Sequence, residues 1–369
     1  MLRHRFTALA LVASFVSCRA LLDIEEKTLA SDAFVPDASP DGDAMTTGDV
    51  VTDAPIEACA TMCAGACVDL ATTGAHCGYC GHNCAGPCDD GRCPGKDEQN
   101  LGATFTSLAR GSMDVWVGAT NSQTGRVRRF KGGSAETLAT GLGDGSHVVL
   151  RDPWVYFAAP SIGRVARVKI DGSETTELAS GEVGAAYLAV QGTTVYFNNG
   201  NGEIRKVPTS GGASSELVIG NLGPTTWVVV DTGQLYWAVT SGPDRGLWRL
   251  PLVNGTPAKL YPGTVTAVAE QGTKIYVADA NANAIIAIGK GDGAKAALAE
   301  QQLGLGGIDV DATYAWFTTS DGVVHRVEVG GGNPPQAVAL AIVNPTIVVA
   351  SDSTRVFWHA GPKIFSAPK

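Results

Sequence analysis

The sequence predicts an all-β fold: a seven-bladed β-propeller with four-stranded blades of about 40 residues each, preceded by a small disulfide-rich module. Two features lead to the propeller. A short aromatic phrase recurs at a nearly constant interval, and glycine-rich turns recur at the same interval. The module is predicted from a cluster of cysteines that precedes the first repeat.

The aromatic phrase is a run of three apolar residues that includes at least one large ring. Successive copies lie 40 residues apart, and the last step is 41. A period of roughly 20 to 50 residues indicates stacked or radially arranged supersecondary units. The seven copies are Val115-Trp116-Val117, Val155-Tyr156-Phe157, Val195-Tyr196-Phe197, Leu235-Tyr236-Trp237, Ile275-Tyr276-Val277, Ala315-Trp316-Phe317 and Val356-Phe357-Trp358.

One period contains four short runs of strand-forming residues. Residues 185–220 show four such runs, rich in β-branched and aromatic side chains and separated by glycine turns. Apolar spacing of about three to four residues over long runs, which a helical solenoid would need, is not visible. The turn between the third and fourth runs recurs as Gly132-Gly133, Asp171-Gly172, Gly211-Gly212, Asn254-Gly255, Asp292-Gly293 and Gly331-Gly332. A four-stranded antiparallel sheet repeated at this interval is a propeller blade.

The seventh repeat stops one strand short. We expect residues 97–102 to supply its outer strand, because they precede the first repeat as residues 136–141 precede the second. Pairing strands from two distant parts of the chain would close the ring and remove an open sheet edge.

The repeat resembles known propeller families. Residues 165–173, Val-Ala-Arg-Val-Lys-Ile-Asp-Gly-Ser, together with Val155-Tyr156-Phe157, resemble the YWTD repeats of lipoprotein-receptor ectodomains and the NHL and streptogramin-lyase propellers of bacteria. The resemblance spans about residues 97–369 and implies the fold. Most copies lack the aspartate of the YWTD phrase, and the receptor propellers have six blades, so no ligand is carried over.

The first 18 residues indicate export. A short basic stretch, residues 1–5, precedes an apolar run of 11 residues, Phe6 to Val16, which is too short to span a bilayer as a helix. The run ends in Phe15-Val16-Ser17-Cys18, which resembles a bacterial lipoprotein signal and implies lipidation of Cys18. The alternative is an ordinary signal peptide cut after Ala20. No other apolar stretch approaches the length of a membrane-spanning helix.

Residues 19–58 are predicted to be an acidic, disordered tether. Between positions 23 and 58 there are ten acidic residues and one base, Lys27, so this segment carries the formal charge of −9 of the whole chain. A self-repelling segment with few aromatics cannot bury enough surface to fold. A cation-binding or recognition tail is the alternative. The rest of the chain is balanced in charge, which excludes nucleic acid as an expected partner.

Residues 59–94 are predicted to be a module held by four disulfides, because an even number of cysteines crowds into a short exported segment. The alternative is a zinc site formed by Cys77 and Cys80 with His76 and His82. Residues 67–93 resemble Stig1-type cysteine-rich modules. The eight cysteines, whose pairing the sequence leaves open, are Cys59, Cys63, Cys67, Cys77, Cys80, Cys84, Cys88 and Cys93.

The sequence lacks three common catalytic or phosphate-binding motifs. The sequence holds no Gly-x-Ser-x-Gly, no His-Glu-x-x-His and no phosphate-binding glycine loop. An enzyme of this fold would need a base or metal ligands that converge on the central channel. The propeller histidines are His147, His325 and His359; Asp309 and Asp311 are metal candidates, but the register places Asp311 on the opposite face. We therefore predict no catalytic residue, no metal and no cofactor.

One register position stands out as a binding candidate. Eight residues before the first residue of three successive phrases lie His147, Tyr187 and Trp227, at the start of the innermost strands of blades 2, 3 and 4. Aromatic side chains with one polar edge suit recognition of sugars, peptides or proteins. The alternative is simple packing between blades.

These features predict an exported, non-catalytic lipoprotein in which residues 95–369 form the propeller. We expect a monomer, anchored to the outer membrane of the cell envelope, that binds an extracellular or envelope protein or glycan. Secretion is the alternative location. Two other functions stay open: an envelope-assembly scaffold, which resemblance to bacterial propeller lipoproteins of assembly machines implies, and a propeller-type lyase or lactonase.

Overall fold

A computed structural model describes residues 61–84, 86–100, 105–110, 116–120, 125–131, 134–142, 147–212, 214–231, 233–340 and 349–369. The predicted signal segment, Cys18, the tether and Cys59 lie outside these residues. In the described ranges, no helix has the length and apolar character needed to cross a membrane.

The described residues form seven sheets of four or five strands, one for each copy of the repeat. The first strands contact one another from each sheet to the next, which places them at the centre. They are β5 (Phe105–Arg110), β9 (Val148–Arg151), β13 (Leu188–Gln191), β17 (Thr225–Asp231), β21 (Val265–Gln271), β25 (Ile308–Val310) and β29 (Val349–Ser351).

The second strands carry the aromatic phrase. They are β6 (Trp116–Thr120), β10 (Trp154–Ala159), β14 (Thr194–Asn198), β18 (Gln234–Val239), β22 (Lys274–Asp279), β26 (Tyr314–Thr318) and β30 (Arg355–Ala360). The third strands are β7 (Val127–Lys131), β11 (Arg164–Lys169), β15 (Ile204–Pro208), β19 (Gly246–Pro251), β23 (Ala284–Gly289), β27 (Val323–Glu328) and β31 (Lys363–Pro368).

Six sheets take their outer strand from the same repeat. These strands are β8 (Ser134–Ala139), β12 (Thr175–Ala179), β16 (Glu216–Ile219), β20 (Ala258–Tyr261), β24 (Lys295–Ala299) and β28 (Gln336–Leu340). The predicted glycine turns precede several of them, and Gly172 and Gly211 adopt the positive φ that these tight turns need.

The seventh sheet takes its outer strand from the start of the propeller. Strand β4 (Lys96–Asn100) pairs antiparallel with β31, as the repeat predicts. Side chains reinforce the pairing, since Lys363 Nζ lies 2.6 Å from Asp97 Oδ2 and Arg355 Nη2 lies 3.5 Å from Glu98 Oε1. The sheet that the last repeat leaves open is therefore completed by β4.

Neighbouring sheets pack through the aromatic phrases. Trp237, Trp316 and Trp358 are fully buried, which confirms that these tryptophans belong to the core; the side chain of Trp116 lies outside the described part of the chain. Among the described residues, six apolar clusters are each shared by neighbouring sheets; one of them contains Tyr156 of β10 and Phe197 of β14.

The cysteine-rich segment is cross-linked by disulfides. Strands β1 (Met62–Cys63) and β2 (Ala66–Cys67) form a hairpin, and a 3₁₀ turn spans Gly74–His76. The described pairs are Cys63–Cys80, Cys77–Cys88 and Cys84–Cys93, and Cys67 is also disulfide-bonded. The zinc alternative fails here, because Cys77 and Cys80 are oxidised in two different disulfides and offer no thiolate.

The cysteine-rich segment packs directly onto the sixth and seventh sheets. Cys77 and Cys93 are fully buried in one cluster with Trp316 and Trp358. Strand β3 (Cys93–Pro94) pairs in parallel with β28 and gives the sixth sheet a fifth strand. The boundary that the sequence suggests after residue 94 thus separates two parts that share a core.

Candidate binding site

Three aromatic side chains from three consecutive sheets meet where the first strands begin. We call this end of the propeller the mouth face. The ring centroids of His147 and Tyr187 are 5.5 Å apart, those of Tyr187 and Trp227 are 5.6 Å apart, and those of His147 and Trp227 are 6.3 Å apart. The three residues are half-buried. The structure therefore brings the predicted residues into one cluster, the aromatic triad.

Trp227 lies in a β-bulge and has an unusual backbone conformation. The pairing of β17 with β18 shifts between Thr226 and Val229, and Trp227 in this bulge has φ +54°. A bulky residue rarely adopts positive φ, because the side chain crowds its own backbone. The indole Nε1–H donates to the carbonyl oxygen of Thr266 at 2.7 Å, which fixes the ring against the next sheet. Such strain persists where the surroundings impose it, often at functional sites.

Asn198 links the backbone of Tyr187 to the strand that carries Trp227. Its Oδ1 accepts a hydrogen bond from the Tyr187 backbone N–H at 2.7 Å. Its Nδ2 donates to the Thr225 carbonyl, also at 2.7 Å, two residues before Trp227. Asn198 is buried and makes these contacts from the end of β14. Asn198 is not among the predicted site residues, although a polar side chain directly after the apolar run Val195-Tyr196-Phe197 is a usable signal.

Small residues stand at the same position in other sheets. Ser107 and Ala267 are buried, and Ser107 Oγ accepts a hydrogen bond from the Val148 backbone N–H at 3.2 Å. Trp227 packs against the cluster that contains Ala267. Large rings thus occupy this position in sheets 2 to 4, and small residues occupy it in sheets 1 and 5.

The triad is electrically neutral at pH 7. Burial lowers the pKa of His147 to about 4, so its imidazole is uncharged, and burial raises the pKa of Tyr187. Within the described residues, Nδ1 of His147 is buried without a hydrogen-bond partner. The cluster offers apolar ring surface with a few neutral polar atoms, which suits an uncharged ligand surface.

Connecting segments on the same face expose apolar side chains. Ile162 lies in the 3₁₀ turn between β10 and β11, Val183 precedes β13 and Leu303 precedes β25. Their exposures are 47%, 65% and 66%. Loops that enter first strands and loops that join second to third strands share one end of a propeller, so these exposed apolar residues lie on the mouth face.

Three of the four other candidate groups, His325, Asp309 and Asp311, have hydrogen-bond partners of their own. His325 Nε2 lies 3.0 Å from Thr319 Oγ1, and burial lowers the pKa of His359 to about 4. Asp309 accepts a hydrogen bond from Ser351 Oγ at 2.6 Å. Asp311 binds the indole N–H of Trp316 and Lys369 Nζ, and it lines the same cavity of about 650 Å³ as Asp309. The structure does not bring these groups together with the triad.

Comparison with known proteins identifies no family. No family model and no curated protein matches the chain. Among solved structures, a catalytically inactive variant of virginiamycin B lyase from Staphylococcus aureus with quinupristin matches at TM-score 0.60 and 10% identity, covering 74% of this chain and 98% of that one. The computationally designed Ika8 protein matches at TM-score 0.52 and 14% identity, covering 74% and 100%.

BamB from Moraxella catarrhalis matches at TM-score 0.49 and 17% identity, covering 72% of this chain and 82% of that one. At identities this low, the two likenesses with TM-scores above 0.5 show the fold alone. Together with the antiparallel sheets, the likeness to virginiamycin B lyase confirms the predicted all-β propeller class.

Proposed function

We propose that this protein is an exported, membrane-anchored binding or scaffold lipoprotein without catalytic activity. In this proposal the mouth face of the propeller recognises an extracellular or envelope protein or glycan. The protein acts as a monomer, binds no nucleic acid and needs no cofactor. Its lipid anchor at Cys18 would attach it to the outer membrane, and secretion is the alternative.

The aromatic triad is the observation that carries the proposal. Packing between blades needs apolar volume, which the aromatic phrases of the second strands already supply together with aliphatic residues. It does not require a tryptophan with φ +54°, a conformation that costs about 1–3 kcal/mol in a non-glycine residue. Three half-buried rings that meet from three sheets resemble the rigid aromatic anchors found at binding hot spots.

The disulfides support a location outside the cytoplasm. Cysteines that pair in a short segment are typical of exported proteins, because the cytoplasm keeps thiols reduced. The cell envelope with a lipid anchor is the finer proposal, and it rests on the sequence before residue 19.

A binding experiment with matched variants tests the function. Tyr187→Ala and Trp227→Ala are compared with Trp154→Ala, which removes a half-buried aromatic at the opposite end of the propeller. Purified proteins are screened on glycan and peptide arrays, and the affinity for any hit is measured by calorimetry. We expect the two triad variants to lose about 2 kcal/mol or more of binding free energy, while Trp154→Ala binds normally.

The stability of the two triad variants distinguishes a binding role of the triad from simple packing between blades. If Tyr187→Ala and Trp227→Ala each lower the free energy of unfolding by about 3 kcal/mol, as loss of a buried aromatic does, and leave ligand binding unchanged, the triad is inter-blade packing. Metal-dependent hydrolysis by the purified protein would support the lyase or lactonase alternative instead. Co-purification with a membrane-assembly complex would support the assembly scaffold.

A further inference from the structure

The outer strand of the third sheet differs from its counterparts at a solvent-facing position. In each outer strand of sheets 1 to 6, one residue pairs with the third strand just before a register shift. Leu217 holds this position in the third sheet and is 56% exposed. The residues at this position in the six sheets are Thr137, Glu177, Leu217, Lys259, Ala297 and Ala337. A large apolar residue occurs there in the third sheet alone among the described outer strands.

The next position shows a second difference. In the other five sheets the residue at the shift is a leucine or valine that is at most 8% exposed: Leu138, Leu178, Leu260, Leu298 and Val338. In the third sheet it is Val218, which is only half-buried. The outer edge of the third sheet is thus packed less fully against its surroundings than the other outer edges.

A groove lies along this edge. One cavity of about 410 Å³ is lined by Leu217, Val218 and Leu252, and a second of about 210 Å³ by the stacked rings of Trp237 and Trp248. Both cavities also contact Ile219 and Pro257, so they form one continuous groove. Val253, which is 79% exposed, stands in the adjoining turn. The apolar lining extends from the strand edge to the surface of the fourth sheet.

The sixth sheet shows that the edge of an outer strand in this protein can pair with a further strand. In the sixth sheet, β3 adds to the outer strand in parallel by pairing with Ala339 and Leu340. The corresponding residues of the third sheet are Ile219 and Gly220. In the described part of the chain, β16 pairs with β15 alone, so its outer backbone groups face solvent. An exposed strand edge is a template for a further strand.

We infer that the outer edge of the third sheet binds an extended, apolar segment of a partner protein, which adds to β16 as a fifth strand. Main-chain hydrogen bonds to the edge would supply affinity, and apolar side chains entering the groove would supply specificity. The nearby charges Lys206 and Glu216 pair with each other at 3.1 Å, which favours an uncharged segment. This inference is independent of the function proposed for the triad.

The size of the surface selects a peptide segment over a second copy of this chain. A stable protein dimer buries roughly 800 Å² on each partner. Here the edge is four residues long, and the groove has room for a few side chains. A short extended segment fits these dimensions, whereas two folded propellers meeting at this edge would need further contacts.

Peptide selection with a matched pair of variants tests the inference. A phage-displayed library of random linear peptides is selected on the wild-type protein, and the enriched sequences are synthesised. Leu217→Lys is compared with Glu177→Lys, which places the same charge at the same position of the second sheet. We expect enriched peptides to be apolar, to bind Leu217→Lys at least tenfold more weakly and to bind Glu177→Lys as wild type.

Hydrogen exchange provides a second measurement. Bound peptide should slow amide exchange at Ile219 and Gly220, and Leu217→Ser serves as the test variant if lysine lowers the melting temperature. The inference is overturned if no peptide is enriched, or if binding survives Leu217→Lys. It is also overturned if binding is lost in Tyr187→Ala instead, which would place the peptide on the mouth face. A wild-type dimer that Leu217→Lys dissolves would show that a second copy occupies the edge.

Discussion

Arg326 should connect the cysteine-rich segment to the propeller, and its removal gives a quantitative test. The guanidinium carbon lies 3.7 Å from the ring centroid of Tyr79 in the cysteine-rich segment and 4.3 Å from that of Tyr314 in the propeller. Nε of Arg326 donates to Gln336 Oε1 at 2.9 Å. The residue is 7% exposed. Arg326→Ala removes all three contacts.

The magnitude follows from these contacts. Two cation–π contacts contribute about 0.5–2 kcal/mol each, and a buried hydrogen bond from a charged group contributes roughly 1.5–3 kcal/mol. Since such contributions are not fully additive, we expect a loss of about 3–4 kcal/mol. For a domain of this size, that corresponds to a fall of roughly 10 °C in melting temperature.

Arg167→Ala is the matched control. Arg167 occupies the same register in the second sheet, opposite Tyr156 as Arg326 lies opposite Trp316. It stacks on Trp154 at 3.7 Å and is half-buried, so its removal should cost about 1 kcal/mol. The assay is urea denaturation with the disulfides intact, followed by a double-mutant cycle that pairs Arg326→Ala with Tyr79→Ala.

The cycle separates two descriptions of the N-terminal segment. If the cysteine-rich segment is part of the propeller core, Tyr79 and Arg326 should couple by more than about 0.5 kcal/mol. A coupling near zero, or equal losses in Arg326→Ala and Arg167→Ala, would mean that the segment only rests on the sixth sheet. The expected loss of about 3–4 kcal/mol from the buried contacts of Arg326 would then be wrong.

Three further predictions concern closure, anchoring and pH. Deletion of residues 1–104 removes β4 and should unfold or aggregate the propeller. The predicted propeller boundary at residue 95 implies that deletion of 1–94 is harmless, but this deletion uncovers the core cluster around Trp358, so its melting temperature should lie between those of the longer deletion and the full chain. Equal melting of both deletions would contradict closure. Cys18→Ala should release the protein from membranes, whereas an unacylated mature N-terminus in the wild type, found by mass spectrometry, would show ordinary secretion. The pKa of His147 is about 4 in the folded state and about 6.5 in the unfolded state, so the unfolded state binds more protons between these pH values. The free energy of unfolding should therefore fall as the pH drops from about 6.5 to 4, and it should fall less in His147→Phe.

Periodicity explains how much of the fold could be predicted. Side chains alternate across a strand, so the phrase Val155-Tyr156-Phe157 identifies a strand buried on both faces, and β10 includes it. Counting repeats then located β4 more than 260 residues from its partner strand. The same counting selected His147, Tyr187 and Trp227, because equivalent positions of adjacent blades are neighbours. That these residues bind a ligand stays a prediction.

Contacts between parts of the chain that lie far apart in sequence and outside the repeat pattern could not be predicted. Eight cysteines allow about 105 pairings, and local spacing does not choose among them. The position of Arg326 between two tyrosines requires the cysteine-rich segment to fold back on the sixth sheet, which no local pattern records. The bulge at Trp227 could not be predicted from the sequence either, because tryptophan rarely adopts positive φ.

The segment from β3 to β4 has a consequence for the order of assembly. Only Gly95 separates these strands, so one stretch of chain covers the edges of two neighbouring sheets. The ion pair between Asp97 and Lys363 joins residues 266 positions apart. Contacts of such long range form slowly, because the intervening chain must be ordered first. In an exported protein, β4 would emerge early and wait, unpaired, until β31 has crossed the membrane. A partially translocated chain would therefore expose an incomplete propeller to the chaperones and proteases outside the cytoplasm.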